Sequence, residues 1–493
     1  MRRPKSTPQF LEPEVSNPRK TLRVGAAIDI DVAAMALDGD PLGHLGDYVV
    51  FLEGGIPGER VRARVLSTHR KFARAQVVQI LRRSPHRVTP RCKHFGPCGG
   101  CGWQHIAYDE QLRLKRQMLV SLFETAHPPA VTRIEETIGL DGSGNAHDPG
   151  APWGFRNKVH FVLGPGQHGE SLTMGHYRHG SHELIEVEEC PVHAEAGNRA
   201  AFRVRDALLR YKVTGSDDEA LQGIARHVVA RTSERTGQTQ VTIVVTQDSS
   251  RKLRAATREI AAGSAAPTGL FLNINEKAGP FLFGKVTTKL HGDTRLPDPV
   301  GDSGFLISPR SFFQTCIRST ENLLKVVLSW VPESERGPVL DLYAGIGLFS
   351  IPIARRGQHV IAVEENPVAV SDGTASLHFN KVSPDACRFV RSRVEDWLGE
   401  AAKEAALHAG SARFGVVVLD PPRDGCPPEA MRYLLERLRP NRVVYVSCNP
   451  RALAEDLARA AEAGYDVEKL QPVDMFPHTS HIEAVALLIR RSP

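Results

Sequence analysis

The last third of the chain alternates between short apolar stretches and segments of helical period, and this alternation constrains the fold more than any other feature. Strands that alternate with helices usually form a parallel sheet covered on both faces. Helices are predicted, for example, at 429–438 and 451–463. Buried strands are predicted at 339–342, 359–363, 416–419 and 443–446. From residue 306 to 493 the sequence therefore predicts a doubly wound, Rossmann-like α/β domain.

Chemically useful residues follow these strands, where ligands of doubly wound sheets bind. The first strand leads into a turn in which Gly345 and Gly347 allow close approach of the backbone to a ligand. Glu364 ends the second strand, where a carboxylate can bind ribose hydroxyls. Asp420 precedes two prolines that stiffen the next loop. The glycine turn alone could be an ordinary strand-to-helix connection, but the three features together predict binding of S-adenosylmethionine.

A thiol and a carboxylate occupy two further strand ends. Cys448 follows an apolar run and is stopped by Asn449-Pro450, and Glu483 precedes another apolar run. Alone, Cys448 would be interpreted as a buried structural thiol and Glu483 as a surface carboxylate. Together with a bound methyl donor, they indicate covalent methylation of an electron-poor ring.

The front of the chain is basic and predicts a separate small domain. A chain of 493 residues exceeds what one core usually organises, so two or three domains are expected. Residues 1–95 hold 17 Lys and Arg against 9 Asp and Glu, which leaves the remainder at −2 of the total +6. We interpret 1–21 as a disordered basic tail and 22–85 as a β-barrel, because 60–65 alternates arginine with apolar residues. This charge favours a polyanionic partner, although a solvated basic surface would look the same.

A cysteine array marks the region 86–305, for which an α+β domain is predicted. Strands are expected at 227–232, 240–246 and 270–275, and surface loops at 141–150 and 214–218. Cys92, Cys98 and Cys101 lie among glycines that allow a tight loop, and Cys190, followed by proline, supplies a fourth thiolate. Four thiolates suit structural zinc or an iron–sulfur cluster equally well. The remaining Cys316, Cys387 and Cys426 are interpreted as structural.

No apolar run approaches the roughly 20 residues that span a bilayer, so no membrane association is expected. The polar N-terminal stretch lacks the apolar core of a secretion signal, and a cytoplasmic location with free thiols is expected.

Taken together, the motifs resemble the RNA uracil-C5 methyltransferase family over nearly the whole chain. The resemblance implies that Gln314, Tyr343, Glu364 and Asp420 contact S-adenosylmethionine, that Cys448 is the nucleophile and that Glu483 is the base. In such an enzyme Phe312 or Phe313 could stack on the target base, although core packing is the favoured interpretation of both. The resemblance is carried by 312–314, 341–350, Glu364, 420–425, 446–450 and 481–484.

The front of the chain adds two further resemblances. The predicted barrel resembles a TRAM domain, an OB-like RNA-binding module. The resemblance is carried by residues 56–59, by residues 60–65, here called the arginine strand, and by residues 84–88. The cysteine array resembles the iron–sulfur branch of the family, whose members modify large-subunit rRNA. This implies a 4Fe–4S cluster rather than zinc, and 23S rRNA rather than tRNA. The alternatives are the same reaction on tRNA, or a non-catalytic RNA-binding protein of the same fold; no obligate protein partner is predicted.

Overall fold

The computed structural model describes residues 22–140, 152–167, 169–248, 250–279, 282–333, 337–407 and 414–492. The predicted tail 1–21 and the predicted loop 141–150 lie outside these ranges. The chain divides into two compact units, Met1–Arg87 and Val88–Pro493. The predicted boundary between 85 and 86 lies close to the division between the two units. The predicted boundary between 305 and 306 falls inside the second unit.

Strands and helices are numbered in chain order. The strands are β1 Ala27–Asp31, β2 Ala34–Met35, β3 Pro41–Leu45, β4 Tyr48–Glu53, β5 Arg60–Thr68, β6 Phe72–Arg82, β7 Lys158–Pro165, β8 Leu172–Tyr177, β9 Leu184–Glu186, β10 Ala225–Thr232, β11 Thr239–Val245, β12 Gly269–Ile274, β13 Val286–Gly292, β14 Leu296–Val300, β15 Ser303–Ile307, β16 Val339–Leu342, β17 Val360–Glu364, β18 Cys387–Arg391, β19 Val416–Leu419, β20 Arg442–Ser447, β21 Tyr465–Val473 and β22 Glu483–Arg490. The α-helices are α1 Tyr108–Ala126, α2 Glu195–Arg210, α3 Arg251–Ile260, α4 Ile317–Trp330, α5 Ser350–Arg355, α6 Pro367–Phe379, α7 Val394–Leu407, α8 Pro428–Arg432 and α9 Pro450–Glu462, with a 3-10 helix at Pro128–Arg133 and a π-helical turn at Tyr433–Leu438.

The first unit is one curled sheet with the strand order β1-β5-β6-β4-β3-β2. In β5 Val61, Ala63 and Val65 are buried and the arginines between them are exposed, which confirms the alternation predicted for 60–65. The sheet closes on itself near Gly43, where a side-chain carbon would lie 2.4 Å from the carbonyl oxygen of Asp31. Close by, Ala33 N–H donates to the Leu42 carbonyl. The strands therefore surround one small apolar core, as expected of an OB-like barrel.

The second unit contains two large sheets, of which the first has the order β13-β12-β11-β10-β7-β8-β9. Only β11 and β12 pair in parallel within it, among the described strands. Helices α2 and α3 contribute buried side chains to its core. The strands predicted at 227–232, 240–246 and 270–275 correspond to β10, β11 and β12, which confirms the α+β character of this region.

The loop predicted at 214–218 is present, but only part of it lies on the surface, because Thr214 and Asp217 are exposed and the residues between them are buried. Ser216 is fully buried, and its N–H lies within hydrogen-bonding distance of the carbonyls of Leu163 and Ala225. Asp218 accepts hydrogen bonds from Tyr177 and Arg226. The polar sequence of this loop therefore satisfies buried partners, a role that sequence composition does not distinguish from solvent exposure.

The second sheet has the order β18-β17-β16-β19-β20-β22-β21 and confirms the doubly wound fold. Strands β16 to β20 are parallel, and β22 runs antiparallel to both β20 and β21. Because β16 lies between β17 and β19, the strand order reverses beside it, and this reversal opens a crevice at the carboxyl ends of the strands. The helix predicted at 429–438 is split into α8 and the π-helical turn.

Helix α1 and the segment after it lie against this second sheet. Tyr108 and Lys115 of α1 hydrogen-bond to Asp474, directly after β21. Ile134 and Ile138 form bridge pairs with Leu470 and Val473 of β21 and its end. The part of the chain that carries three of the cysteines is therefore joined to the C-terminal sheet. Within the described ranges, no helix combines the length and apolar character required to cross a membrane.

Candidate active site and cysteine cavity

Three of the four predicted cofactor residues, Tyr343, Glu364 and Asp420, lie at the carboxyl ends of parallel strands of the doubly wound sheet. Leu342 of β16 is in register with Val363 of β17 and with Leu419 of β19. Glu364 and Asp420 follow these positions directly, and Asp420 N–H donates to the Leu342 carbonyl. The parallel register thus brings together carboxylates that lie more than fifty residues apart in sequence.

The glycine turn is tight and is tied to Glu364. Tyr343, Gly345 and Gly347 all have positive φ, at 59°, 57° and 89°. Gly345 N–H donates to Glu364 Oε2 at 2.9 Å, and Asn366 N–H donates to Oε1 at 2.7 Å. A side-chain carbon at Gly347 would lie 2.9 Å from the Phe389 ring, so glycine is required both by the conformation and by the neighbouring side chain.

Asp341 is a buried carboxylate in β16, just before this turn, that sequence reasoning did not single out. Its Oδ2 accepts from Ser350 Oγ, while Oδ1 has no hydrogen-bond partner among the described residues. Burial raises the pKa of Asp341 to about 7, and Glu364 acts in the same direction. Its position just before the glycine turn was the available signal.

Cys448 and Glu483 lie side by side at the end of paired strands. The antiparallel register of β20 and β22 ends with Ser447 opposite Ala484, so Cys448 and Glu483 are the next residues on the two strands. Glu483 is 4% exposed and Cys448 is half-buried. The thiol and carboxylate that are 35 residues apart in sequence are thus brought together by strand pairing.

The electrostatics of this pair oppose ionisation. Burial raises the pKa of the Cys448 thiol to about 11, and the carboxylates of Glu483 and Asp420 act in the same direction. Burial also holds the pKa of Glu483 well above its usual range, and Asp420 adds to that rise. Burial together with the Asp341 carboxylate raises the pKa of Asp420 to about 7. Arg423 opposes the rise at both Cys448 and Glu483.

Arg423 is therefore a site residue to which sequence reasoning assigned no role. Its carbonyl accepts a hydrogen bond of 2.8 Å from Asn449 Nδ2, which joins the two loops carrying Asp420 and Cys448. Asn449 Oδ1 accepts from Arg451 N–H and so caps α9. The position of Arg423 directly after the Asp-Pro-Pro sequence was the signal that could have identified it.

Gln314 and its neighbours lie in the connection between β15 and α4, residues 308–316. The buried guanidinium of Arg231 donates to the carbonyls of Phe313 and Gln314 and fixes this segment. Phe313 packs in the core, 5.2 Å from the Phe305 ring, as predicted. The core interpretation of Phe312 is wrong, because its side chain is 71% exposed. A pattern of two adjacent aromatics does not tell which one faces inward.

The predicted cofactor residue Tyr343 has partners that were not foreseen. Its hydroxyl donates to Glu395 Oε1 at 3.1 Å and lies 3.9 Å from Cys426 Sγ. Glu395 is on α7, and no motif marks it in the sequence. Burial raises the pKa of Cys426 to about 12, which fits a thiol that stays protonated as a structural group.

All four cysteines of the predicted array line one cavity of about 430 Å³. Cys92, Cys98 and Cys101 come from the glycine-rich loop, and Cys190 comes from the segment after β9. Burial raises the pKa of Cys101 to about 11 and that of Cys190 to about 12, with neighbouring thiols acting in the same direction. These thiols therefore bind a proton unless a metal replaces it.

Two histidines of the same cavity were missed by sequence reasoning. Ligand atoms of His176, Cys190 and His193 lie within 4.8 Å of one another. Burial lowers the pKa of His176 to about 4, so its imidazole is neutral. His193 Nδ1 has no hydrogen-bond partner in the described part of the chain. His176 lies in the strand β8, where nothing local distinguishes a ligand from a core histidine.

Arg156 places a positive charge on the wall of this cavity. It interacts electrostatically with Cys190 and Cys101, and burial lowers the pKa of its guanidinium. A cation here would balance part of the charge of a thiolate-bound metal group.

Over most of its length the chain is similar to RNA methyltransferases. The family described as tRNA (uracil-5-)-methyltransferase matches residues 305–491, and the TRAM domain matches 22–78. An uncharacterised RNA methyltransferase of Halalkalibacterium halodurans is 32% identical over 462 residues, covering 94% of this chain and 96% of the relative. An uncharacterised RNA methyltransferase of Bacillus cereus is 32% identical over 471 residues, covering 95% and 98%.

A solved structure extends the likeness to the whole fold. The tRNA (uracil-54, C5)-methyltransferase of Pyrococcus abyssi, in complex with S-adenosyl-L-homocysteine, superposes with a TM-score of 0.70 at 25% identity, covering 94% of this chain and 99% of its own. The doubly wound sheet and glycine turn thus define an S-adenosylmethionine-dependent methyltransferase. The chain belongs to the RNA (uracil-5-)-methyltransferase family.

Proposed function

We propose that this enzyme methylates C5 of a uridine through a covalent adduct between Cys448 and C6 of the base. The observation that carries the proposal is the placement of the Cys448 thiol next to the Glu483 carboxylate at the ends of β20 and β22. Each group alone has an ordinary structural interpretation. The reaction requires both groups at one base, because one must add to the ring and the other must remove a proton from it.

The chemistry assigns a separate task to each side chain. The Cys448 thiolate adds to C6, and the electrons of the C5–C6 double bond move onto C5 and the O4 enolate. S-adenosylmethionine, when bound, supplies an electrophilic methyl group to C5. The Glu483 carboxylate then takes the C5 proton. The electrons of the C5–H bond restore the C5–C6 double bond and expel the Cys448 thiolate. Release of the proton from Glu483 to water then regenerates the enzyme.

The cofactor is proposed to lie along the edge formed by the carboxyl ends of β16, β17 and β19. Glu364 and Asp420 would contact it from β17 and β19, Tyr343 from the glycine turn, and Gln314 from the segment before α4. The support is the position of the first three at the carboxyl ends of the parallel strands, where ligands of this fold bind. The exposed Phe312, two residues before Gln314, is available to stack on a base taken out of its helix.

For the substrate we propose 23S rRNA. Its support is the four-cysteine cavity, which resembles the branch of the family that acts on large-subunit rRNA. The second candidate is tRNA, because the solved Pyrococcus abyssi relative acts on tRNA. A non-catalytic RNA-binding role would be the remaining interpretation if no substrate reacted.

The decisive test uses 5-fluorouridine in rRNA and in tRNA transcripts, incubated with S-adenosylmethionine and the enzyme. Fluorine cannot leave as the C5 proton does, so the methylated adduct should persist and be detected by mass spectrometry. We expect an adduct with the wild type and with the control Cys387→Ala, and none with Cys448→Ala. An adduct on tRNA alone would reject 23S rRNA, and the absence of any adduct would reject the mechanism.

For the cysteine cavity we propose a 4Fe–4S cluster held by Cys92, Cys98, Cys101 and Cys190. Zinc bound by four thiolates at about 2.3 Å would draw the sulfurs to within roughly 4 Å of one another. Among the described residues, a set of three ligand atoms within 4.8 Å is found at His176, Cys190 and His193, and not among the four sulfurs. The wider spacing fits the larger cage of a cluster. Zinc on Cys190 with the two histidines is the second candidate, favoured by their short separations.

Metal analysis after anaerobic purification separates the two candidates. A cluster predicts iron and acid-labile sulfide in equal amounts, strongly reduced in Cys101→Ser and unchanged in Cys387→Ser. Zinc on the second site predicts about one zinc per chain, retained in Cys101→Ser and lost in His193→Ala. Neither metal above background in the wild type would reject both.

A further inference from the structure

We infer that residues 103–111, which follow Cys101 of the cysteine cavity, position the loop that carries Glu483. His478 is the positioning residue that joins this segment to the loop. This inference rests on the proposed role of Glu483 as the base. The loop between β21 and β22 spans 474–482 and ends directly at Glu483. What fixes this loop therefore fixes the carboxylate.

His478 lies in the middle of the loop in a conformation that needs support. Its φ is +64°, and the residue is only 2% exposed. A non-glycine residue in the left-handed region is strained, and such strain persists when surrounding contacts hold it. Both its backbone and its ring contact parts of the chain that lie next to the cysteine cavity.

The backbone of His478 is held by the part of the chain that follows Cys101. Trp103 N–H donates to the His478 carbonyl at 2.9 Å. His478 N–H donates to Gln111 Oε1 at 2.9 Å. Gln111 Nε2 in turn lies within hydrogen-bonding distance of the carbonyls of Trp103 and Ile106. One glutamine of α1 thus ties the loop to the chain immediately after the cysteines.

The imidazole makes a second set of bonds with a definite tautomer. Its Nε2 lies 3.0 Å from the Pro152 carbonyl, which can only accept, so Nε2 carries the proton. Nδ1 is then an acceptor for Gln111 Nε2 at 3.3 Å. The ring stacks on Trp153, with 4.3 Å between centroids. Trp153 precedes Arg156 on the cavity wall by three residues, so both sides of His478 lead back to the cavity.

The first residue of the loop is anchored to the same helix. Asp474, fully buried, accepts from Lys115 Nζ at 2.6 Å and from the Tyr108 hydroxyl at 2.9 Å. Lys115 also donates to the Phe476 carbonyl. Helix α1 therefore holds the loop at its start and at its midpoint, five residues before Glu483.

The connection to the cysteine cavity is short and polar. Trp103 lies two residues after Cys101, and Gln104 Oε1 accepts from Cys92 N–H at 3.2 Å. Gln104 also hydrogen-bonds to Cys101. A group bound by the cysteines would hold Cys92 and Cys101 together and fix residues 101–104. Loss of that group would loosen the donor that holds the His478 carbonyl, and through it the position of Glu483.

The coupling is tested by hydrogen exchange on the whole protein, followed by mass spectrometry of peptides that cover 474–483. We expect exchange in this loop to be about tenfold faster or more in Cys101→Ser than in the wild type. The control Cys387→Ser changes a buried thiol at the start of β18, outside the cavity, and should leave the loop unchanged. Equal protection in Cys101→Ser and the wild type would overturn the coupling. This readout does not depend on methyl transfer, so it remains informative if the proposed function fails.

His478→Asn tests positioning against a general loss of stability. Asparagine tolerates the left-handed conformation, but loses the stacking on Trp153 and the bond to Pro152. A misplaced base slows proton removal after methyl transfer. A protein–RNA adduct that resists denaturation should therefore accumulate on ordinary uridine RNA, as it should for Glu483→Gln, with an unchanged metal content. Loss of turnover without any accumulated adduct, or turnover equal to that of the wild type, would reject His478 as a positioning residue.

Discussion

At the scale of single residues, the site combines a nucleophile and a base whose surroundings disfavour their charged forms. Burial and the two carboxylates raise the pKa of the Cys448 thiol, and burial and Asp420 raise that of Glu483. The reaction needs both groups deprotonated. Since both pKa values lie above their ordinary range, the rate should rise with pH through the neutral range and continue to rise on the alkaline side.

Arg423 opposes both shifts, so its charge should set where this rise occurs. In Arg423→Gln the pKa values of Cys448 and Glu483 increase further, and the alkaline limb of kcat/KM moves to higher pH. At neutral pH we expect kcat/KM to fall about tenfold for each pH unit by which either of the two pKa values rises. The profile is measured from about pH 6 to about pH 10, a range that brackets the ordinary cysteine pKa, with Arg437→Gln as the control. A lower rate with an unshifted profile would contradict the electrostatic role.

At the scale of elements, a buried ion pair joins α1 to the end of β21. Lys115 and Asp474 are both fully buried, and their charged groups lie 2.6 Å apart. Burial lowers the pKa of Lys115, and Asp474 counteracts that fall. Removal of one partner from such a pair leaves an uncompensated charge in the interior. The pair therefore makes the contact between α1 and the loop depend on both residues.

Lys115→Met should lower the free energy of unfolding of the second unit by about 3–5 kcal/mol. The measurement is the urea midpoint, with the exposed Lys325→Met of α4 as the matched control. Adding Asp474→Asn to Lys115→Met should recover part of the loss, because the second substitution removes the unpaired charge. A midpoint equal to that of the control would show that the pair contributes nothing.

At the scale of the whole molecule, the basic excess of the front is partly compensated within the first unit. Arg60, Arg62 and Arg74 pair with Asp31, Asp29 and Asp40, and all of these side chains are exposed. Exposed pairs contribute little to stability because water and salt screen them, so phosphates can compete for the arginines. The barrel therefore keeps its capacity for RNA in spite of the aspartates beside the arginine strand.

Arg64, also exposed on β5, gives the sharpest test of this surface. In Arg64→Gln we expect weaker RNA binding at every sequence and a salt slope of log affinity reduced by about one. Affinity is measured by titration at several salt concentrations, with Arg437→Gln as the control on the second unit. An unchanged slope would exclude Arg64 from phosphate contact.

Much of this protein could be predicted from the sequence, because the signals were local. The strands of the doubly wound sheet follow from short, mostly apolar runs that are buried on both faces, and the glycine turn follows from residues that lie within ten positions. The cysteine array was predicted from residue type and spacing, and its four members do face one cavity.

Tertiary structure alone decided which distant residues meet. The sequence does not reveal that α1 packs on the C-terminal sheet, that Arg423 faces Cys448 and Glu483, or that His176 and His193 approach Cys190. Nor does it tell that Phe312 points outward while Phe313 is buried. The physical reason is that period and composition report how each residue meets solvent along its own element. Contacts across elements depend instead on strand register and on the packing of side chains, which the whole chain determines together.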